Sequence, residues 1–202
     1  MTETPTVIVV DDDPLYREAL GGLIQSVGVH AKTLASVSEF LDEGRPDGPT
    51  CLVLDVRLPG RSGLDLQREL TASNVKIPII FITAHADIPM SVQAMKGGAI
   101  EFLTKPFRDQ DLLDAIQLGL ARDRARLDEE SNVADLRTRH QSLTAREREV
   151  MALLVSGRVN KQIAADIGIS EVTVRLHRGQ IMRKMRASSL ADLIRIANKI
   201  KS

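Results

Sequence analysis

The feature that most constrains the fold is a repeated alternation of short apolar runs and helical patterns between residues 7 and 120. Each run is uninterrupted and followed by polar or turn residues, which is typical of a buried parallel strand. The strands are predicted over Val7–Val10, Val29–Leu34, Cys51–Asp55, Pro78–Ile82 and Ala99–Leu103. Since a helical pattern separates each strand from the next, we expect a doubly wound α/β domain with a five-stranded parallel sheet.

Polar residues that could together bind a cation and a phosphoryl group follow the predicted strands. The carboxyl ends of parallel strands share one edge of the sheet, and ligands bind there. That edge would collect Asp11, Asp12, Asp13, Asp55, Thr83 and Lys105. Clustered carboxylates repel one another and need a cation, and oxygen ligands without His or Cys favour Mg²⁺. Asp55 can then act as a carboxylate nucleophile towards phosphorus, with Lys105 and Thr83 donating to phosphoryl oxygens.

Each of these groups also has a purely structural explanation. Asp55 could cap a turn, Thr83 could pack within its strand, and Lys105 could pair with a carboxylate only to relieve charge. The run of three aspartates could be a capped loop before the first helix. The functional interpretation is favoured because all of these groups fall on one edge.

Charge divides the chain, although its formal net charge is zero. Residues 1–121 hold 10 Lys and Arg against 17 Asp and Glu, a net −7. Residues 143–202 hold 12 against 5, a net +7. The stretch 122–142 is balanced, alternates in sign and lacks Pro and Gly, which predicts a solvated helical linker. We therefore expect an acidic module at 1–121 and a basic module at 143–202 that meets a polyanion.

The basic module is predicted to be an all-α domain of four helices that contains a helix-turn-helix. Asn160 is a candidate cap of the second helix, and Gly168 lies in the turn before the third. The third helix, Glu171 to about Met185, has basic and neutral polar residues outside one apolar face. That face comprises Val174, Ile181 and Met185. Such an outer surface suits the phosphates of double-stranded DNA.

Two observations bear on the cellular compartment. Cys51 is the one cysteine of the sequence, which excludes an internal disulfide and suits a cytoplasmic protein. No apolar run approaches the ~18 residues that a membrane span requires. We therefore expect a cytoplasmic protein with no membrane partner.

Four segments of the acidic module together resemble the receiver domain of two-component response regulators. They read Val-Val-Asp-Asp-Asp at 9–13, Leu-Asp-Val-Arg-Leu-Pro-Gly-Arg-Ser-Gly at 54–63, Phe-Ile-Thr-Ala-His at 81–85 and Glu-Phe-Leu-Thr-Lys-Pro-Phe at 101–107. The resemblance covers residues 6–121. It implies a flavodoxin-like fold, bound Mg²⁺ and a sensor histidine kinase that donates the phosphoryl group.

The resemblance to receivers also implies a role for each pocket residue. Asp55 would be the phosphoacceptor, and Asp11 and Asp12 would form the acidic pair. The metal ligands would be Asp12, Asp55 and the backbone carbonyl of Arg57. The switch residues would be Thr83, Lys105 and Phe102, with a cis bond between Lys105 and Pro106. For Phe102 alone, core packing explains an aromatic residue in this strand without any switch.

The basic module resembles the LuxR-type DNA-binding domain over residues 143–199. The matching segments read Leu-Thr-Ala-Arg-Glu-Arg-Glu-Val at 143–150, Asn-Lys-Gln-Ile-Ala at 160–164 and Ile-Ser-Glu-Val-Thr-Val-Arg-Leu-His-Arg at 169–178. With the receiver, the pair resembles the FixJ/NarL class, and His-Ala-Asp-Ile-Pro at 85–89 favours the FixJ-like subgroup.

This second resemblance implies which residues contact DNA. Positions that face bases in relatives are Arg175, Leu176 and Gly179. Because glycine has no side chain to offer, Arg175 and Arg178 would carry more of the readout. Positions that hold phosphates would be Asn160, Lys161, Ser170, Thr173 and Lys184.

The sequence thus predicts a phosphorylation-dependent transcriptional regulator that is not an enzyme. Phosphorylation would control homodimerisation or domain release and hence binding to promoter DNA, with RNA polymerase a further candidate partner. One alternative is a phosphohydrolase similar to haloacid dehalogenases, with Asp11 as nucleophile of an Asp11-x-Asp13 motif. Another is a constitutive DNA-binding regulator whose receiver only dimerises.

Overall fold

The structure is a computed structural model that describes residues 4–201. Residues 1–3 and 202, at the outer ends of the two predicted modules, lie outside this range. The chain divides into two compact units between Leu127 and Asp128. Each unit has its own hydrophobic core.

The first unit is a five-stranded sheet flanked by helices. Its strands are β1 Thr6–Val10, β2 His30–Leu34, β3 Thr50–Asp55, β4 Ile79–Thr83 and β5 Glu101–Thr104. Its helices are α1 Pro14–Ser26, α2 Val37–Glu43, α3 Gly63–Ala72, α4 Ile88–Lys96 and the first part of α5 Asp109–Gln141. All strand pairs are parallel, in the order β2-β1-β3-β4-β5. The predicted doubly wound sheet is confirmed, and its order reverses between β1 and β3, where such sheets bind ligands.

Helices cover both faces of the sheet. Val7 and Val9 of β1 pack in a cluster with residues of α1 and α5. Ile8 and Val10 point to the opposite face and join residues of α2, α3 and α4. Because both faces of β1 and β3 are buried, these strands are continuous apolar runs, and the polar groups at their carboxyl ends stand out.

Helix α5 continues through the stretch that the sequence predicts as a helical linker. Within it, Asp123 is only 1% exposed. Its carboxylate accepts hydrogen bonds from the Thr50 amide at 2.7 Å and from Arg45 Nη2 at 2.5 Å. These bonds tie α5 to the start of β3, so this turn of α5 belongs to the first unit. The alternating charges of the linker do not distinguish Asp123 from its solvated neighbours.

The second unit contains the end of α5 and four further helices. They are α6 Ala145–Val155, α7 Asn160–Ile167, α8 Glu171–Met185 and α9 Leu190–Lys201. The capping prediction for Asn160 is wrong, because Val159 is the N-cap of α7 and Asn160 is already helical. The Gln162 side chain accepts from the Val159 amide at 3.2 Å and thereby takes over the capping role. Gly168 ends α7 in a left-handed conformation, with φ 68°, as the turn of a helix-turn-helix requires.

Within residues 4–201, no helix combines the length and the apolar composition that a bilayer crossing requires.

Candidate functional site

The pocket at the carboxyl edge of the sheet begins with Asp11, directly after β1. Asp11 is fully buried, and its Oδ1 accepts a hydrogen bond from the Asp13 amide at 3.0 Å. Asp13 itself caps α1, because its Oδ1 accepts from the Leu15 and Tyr16 amides at 2.9 Å and 3.3 Å. Two residues of the aspartate run therefore have different roles. Asp13 caps the N-terminus of α1, whereas Asp11 faces the pocket.

Asp55 is the last residue of β3 and is 6% exposed. Its Oδ1 accepts from the Arg57 amide at 2.8 Å, and its Oδ2 accepts from Lys105 Nζ at 2.7 Å. Burial raises the pKa of the Asp55 carboxyl, and the hydrogen bonds from Lys105 and Arg57 only partly offset this rise. The pocket thus holds a desolvated carboxylate oxygen beside a cation, as a nucleophile for phosphorus requires.

Lys105 joins the ends of three strands. It follows β5, its amide donates to the Thr83 carbonyl at 2.8 Å, and its Nζ donates to Asp11 Oδ2 at 2.5 Å and to Asp55 Oδ2 at 2.7 Å. Burial acts to lower the pKa of Lys105, but the hydrogen bonds to both carboxylates outweigh it and raise that pKa. The Lys105–Pro106 bond is cis, as the resemblance to receivers implies.

Three carboxylates of the pocket lie close enough to share a cation. Oxygen atoms of Asp11, Asp12 and Asp55 lie within 4.8 Å of one another. Asp11 and Asp55 are buried, whereas Asp12 is exposed. The donor set consists of carboxylate oxygens alone, which fits a hard divalent cation such as Mg²⁺.

The predicted switch residues lie on β4 and β5. Thr83 is fully buried, and its hydroxyl oxygen accepts a long hydrogen bond from the His85 amide at 3.3 Å. Phe102 is half-buried, with its ring centroid 6.3 Å from that of Phe81. Arg57 and His85, each two residues beyond a pocket residue, are exposed.

Tyr16 is a pocket residue that sequence reasoning missed. Lys105 Nζ lies 4.1 Å from the centroid of the Tyr16 ring. Burial raises the pKa of the Tyr16 hydroxyl, and the nearby Lys105 charge opposes the rise. In the sequence, Tyr16 is one more residue at the start of a helix, and only the contact with Lys105 reveals it.

Gly63, the first residue of α3, lies close to the backbone of Asp55. Its amide donates to the Val56 carbonyl at 3.0 Å. A Cβ at this position would lie 2.4 Å from the Asp55 carbonyl oxygen and 2.9 Å from Leu54 Cγ. Helix α3 can approach the end of β3 this closely only because residue 63 is glycine.

In the second unit, α8 carries the candidate base contacts Arg175, Leu176, Arg178 and Gly179. Arg175 and Leu176 are exposed, and Arg178 is half-buried. Among residues 4–201, Arg175 and Arg178 have no ion-pair partner. A Cβ built on Gly179 meets nothing within 4 Å. Val172, which sequence reasoning missed, is 70% exposed, and Leu176 one turn later is 61% exposed.

The predicted phosphate contacts have different surroundings. Ser170 caps α8, and its Oγ lies 2.8 Å from Thr173 Oγ1. Lys161 is exposed, whereas the Oδ1 atom of half-buried Asn160 is buried and lacks a hydrogen-bond partner among the described residues. The structure therefore brings Ser170 and Thr173 together at the start of α8 and leaves Lys161 open to solvent.

Lys184 differs from these residues because it is engaged inside the unit. Its Nζ donates to Glu147 Oε2 at 2.7 Å and lies 3.3 Å from the Ser142 carbonyl oxygen. The Glu147 side chain is 3% exposed and also caps α6 at Thr144. The hydrogen bond from Lys184 lowers the pKa of Glu147. Lys184 thus connects α8 to α6, a tie that its sequence position does not reveal.

Comparison with known families assigns both units. Residues 7–117 match the family described as "Response regulator receiver domain". Residues 141–197 match "Bacterial regulatory proteins, luxR family". Neither match is an enzyme family, and Asp13, which the phosphohydrolase alternative needs as a second acid, is occupied in capping α1. The phosphohydrolase alternative is therefore rejected.

Similar proteins span nearly the whole chain. Nodulation protein W of Bradyrhizobium diazoefficiens is 53% identical over 96% of this chain and 86% of its own. Transcriptional regulatory protein FixJ of Azorhizobium caulinodans is 42% identical over 98% of this chain and 93% of its own. The solved structure of response regulator StyR superposes with a TM-score of 0.87 at 50% identity, covering 98% of this chain and 100% of that one.

These matches give the two units one joint role. A receiver domain implies a histidine-kinase partner, and a luxR-type domain implies DNA binding. Together they describe a phosphorylation-dependent transcriptional regulator. The chain therefore belongs to the FixJ/NarL class of response regulators.

Proposed function

We propose that Asp55 accepts the phosphoryl group by which this regulator is switched. The observation that supports this choice is the position of its Oδ2, 2.7 Å from Lys105 Nζ, in a cluster with the carboxylates of Asp11 and Asp12. Asp11 holds the same Lys105 ammonium at 2.5 Å. Asp55 thus combines burial, a cation and two acidic neighbours at the last residue of β3.

The transfer is a displacement at phosphorus. An Asp55 carboxylate oxygen attacks the phosphorus atom, and a new O–P bond forms as the bond from phosphorus to the donor breaks. The leaving group keeps the electron pair of the broken bond, and Asp55 becomes an acyl phosphate. Lys105 stabilises the negative charge on the phosphoryl oxygens as its hydrogen bond to Asp55 is released.

The pocket would hold Mg²⁺ through Asp12, Asp55 and the backbone carbonyl of Arg57, with Asp11 beside them. When bound, Mg²⁺ supplies positive charge that neutralises phosphoryl oxygens. The all-carboxylate donor set supports this assignment. Exposed Asp12 can turn towards a cation without breaking any hydrogen bond that Asp11 or Asp55 makes.

Thr83 and Phe102 would couple phosphorylation of Asp55 to a change at the surface of the domain. Among the described residues, the Thr83 hydroxyl has only the long bonds to His85 to lose, so donation to a phosphoryl oxygen costs little. Phe102 is half-buried and lies beside the core of α2, α3 and α4, so it can follow a movement of that face. The signal would reach α4 and β5 by this route.

Helix α8 would enter the major groove of promoter DNA. Arg175, Leu176 and Arg178 would meet base edges, and Gly179 would let the duplex approach closely. Asn160, Lys161, Ser170, Thr173 and Lys184 would contact phosphates. Among these five, Lys184 is the least available, because Glu147 already holds its ammonium.

Phosphorylation would act by homodimerisation or by release of the second unit. Two copies would place two recognition helices on paired half-sites of one duplex. RNA polymerase is then a further partner at the promoter. DNA binding and the buried, disulfide-free Cys51 support a cytoplasmic location.

The test is intact mass after treatment with acetyl phosphate and Mg²⁺, for the wild type and for Asp55→Asn, with light scattering on the same samples. We expect one phosphoryl adduct on the wild type, none on Asp55→Asn, and a larger oligomer only for the adduct. An adduct without assembly would support domain release. No adduct on the wild type, even with a kinase-derived donor, would contradict the proposal and favour the constitutive regulator.

A further inference from the structure

The Lys105 ammonium has a third neighbour that the ion pairs of the pocket do not explain. Its Nζ lies 4.1 Å from the centroid of the Tyr16 ring. The same atom donates to the carboxylates of Asp11 and Asp55, and the Lys105 side chain is only 12% exposed. Two carboxylates and one aromatic face therefore lie against the ammonium.

Tyr16 is held at its backbone and at its ring. Its amide, in the first turn of α1, donates to Asp13 Oδ1 at 3.3 Å. Its ring meets that of Phe107 at an angle of 84°, with 6.3 Å between the centroids. Among residues 4–201, no protein hydrogen bond of the Tyr16 hydroxyl is found. What Tyr16 offers the pocket is thus the face of its ring.

The face of an aromatic ring carries partial negative charge and attracts a cation most strongly where water is excluded. Phosphorylation changes the charge and shape of Asp55 but leaves Asp11 and Tyr16 covalently unaltered. Both belong to the β1–α1 side of the pocket, so together they can hold Lys105 while its third partner changes. This reasoning rests on the proposed function of Asp55.

We propose that Tyr16 is a positioning residue that holds the Lys105 ammonium against its ring face during phosphoryl transfer to Asp55. The rival explanation is that the ring only fills space between α1 and the loop after β5. The two explanations differ in what they depend on. A space-filling ring acts through its shape, whereas a cation-binding ring acts through the electron density of its face, which fluorine withdraws with little change in shape.

The experiment uses the full-length protein with a graded series at position 16. The series is Tyr, Phe, 4-fluorophenylalanine, 3,5-difluorophenylalanine, 3,4,5-trifluorophenylalanine and Leu. One readout is the rate of adduct formation with acetyl phosphate and Mg²⁺, followed by intact mass. The other is the chemical shift of the Lys105 ε-methylene protons in the metal-free, unphosphorylated protein, which a ring face moves upfield.

We expect Tyr16→Phe to react within about twofold of the wild type, because it keeps the ring. Each added fluorine should slow the reaction further, and Tyr16→Leu should slow it between about twofold and thirtyfold. The upfield shift of Lys105 should persist in the aromatic series and disappear in Tyr16→Leu. Circular dichroism of each variant checks that the fold is kept.

Phe107 supplies the matched control, because the Lys105 ammonium lies over the Tyr16 ring and no such contact with Phe107 is found in the described chain. The same fluorinated residues at position 107 should give no graded change in rate. A flat series at position 16, or a Tyr16→Leu variant as fast as Tyr16→Phe, would overturn the proposal. A wild type that forms no adduct at all would overturn the proposed function of Asp55 as well, so the two failures are distinguishable.

Discussion

The acidic pocket and helix α8 differ in how far apart their residues lie in the sequence and in how exposed those residues are. The pocket joins residues from distant parts of the chain: Lys105 is bonded to Asp11 and Asp55, and both of these carboxylates are buried. The candidate DNA contacts of α8 are neighbours in sequence, and Arg175 and Leu176 are exposed. The buried groups of the pocket already hold one another, whereas Arg175 and Arg178 of α8 have no ion-pair partner among residues 4–201 and are left for a binding partner.

This difference has an energetic consequence. Groups that share partners couple, so a change to one pocket residue alters all of them, whereas separated groups on an exposed helix contribute almost additively. The pocket should therefore be sensitive even to changes in its supporting backbone. Helix α8 should respond one side chain at a time.

The same substitution at two helical glycines tests this contrast with the largest expected effect. Gly63→Ala places a Cβ 2.4 Å from the Asp55 carbonyl oxygen, so we expect a loss of about 3 kcal/mol in the free energy of unfolding. The Asp55 adduct should also form more slowly, because the strand end must shift. Denaturant unfolding of the full chain and the rate of adduct formation measure the two effects.

Gly179→Ala is the matched control, because its Cβ meets nothing within 4 Å. It should stabilise α8 by about 0.5–1 kcal/mol, the difference in helix propensity between Gly and Ala. If Gly63→Ala proved as harmless as Gly179→Ala, the pocket would tolerate backbone change and the contrast between the two sites would fail.

The second prediction concerns base readout by α8. Arg175→Ala should weaken binding to a specific site by about 1–3 kcal/mol while changing binding to random DNA much less, if Arg175 contacts a base. The specific site can be selected from a random pool with the phosphorylated protein. Titration of both DNAs at fixed salt measures the difference.

Lys161→Ala provides the comparison for Arg175→Ala, because exposed Lys161 is a proposed phosphate contact. It should weaken binding to both DNAs equally and reduce the salt dependence by about one counterion. An equal loss on specific and random DNA for Arg175→Ala would reassign Arg175 to the phosphate backbone.

The third prediction concerns Lys184, a candidate DNA contact that already forms an ion pair, as Lys105 does in the pocket. Lys184 is paired with buried Glu147, whose pKa this hydrogen bond lowers. A carboxylate with a lowered folded-state pKa stabilises the protein above its unfolded pKa and loses that contribution as pH falls through the folded value. Glu147→Gln should therefore cost about 1 kcal/mol near neutral pH and remove this acid-side loss of stability.

Hydrogen exchange of the α6 and α8 amides in the full chain measures the effect of Glu147→Gln across pH. Glu149→Gln is the control, because Glu149 pairs with Arg146 on the exposed side of α6 and should change local stability by less than about 0.5 kcal/mol. Unchanged protection in Glu147→Gln would return Lys184 to the set of free phosphate contacts.

The fold and the outline of the pocket could be predicted because both follow from chain topology. Alternating apolar runs and helices require a parallel sheet, and a parallel sheet brings Asp11, Asp55 and Lys105 to one edge. The residues that sequence reasoning missed depend on side-chain contacts instead. Tyr16 is recognised only by its distance from Lys105, and Asp123 only by its burial. Lys184 looked like a free cation because its partner Glu147 is 37 residues away in sequence.

The smallest expected effect concerns a single methyl group. Leu176 is 61% exposed on α8 beside Arg175, and an apolar side chain in the major groove can pack on the 5-methyl group of thymine. Replacing thymine by deoxyuridine removes that methyl and leaves the hydrogen-bonding edges intact. At one thymine of the selected site, we expect the wild type to lose about fourfold in affinity, equivalent to one buried methyl group.

Leu176→Ala should bind thymine and deoxyuridine sites with equal affinity, because the partner of the methyl group is gone. The affinity of Leu176→Ala for the thymine site should match the affinity of the wild type for the deoxyuridine site to within about twofold. The reason is that both changes remove the same contact, one from the protein and the other from the DNA. Competition binding with single substitutions at each thymine measures both values. If Leu176→Ala kept the full preference for thymine, another residue would read the methyl group, and exposed Val172 one turn earlier would be the first to test.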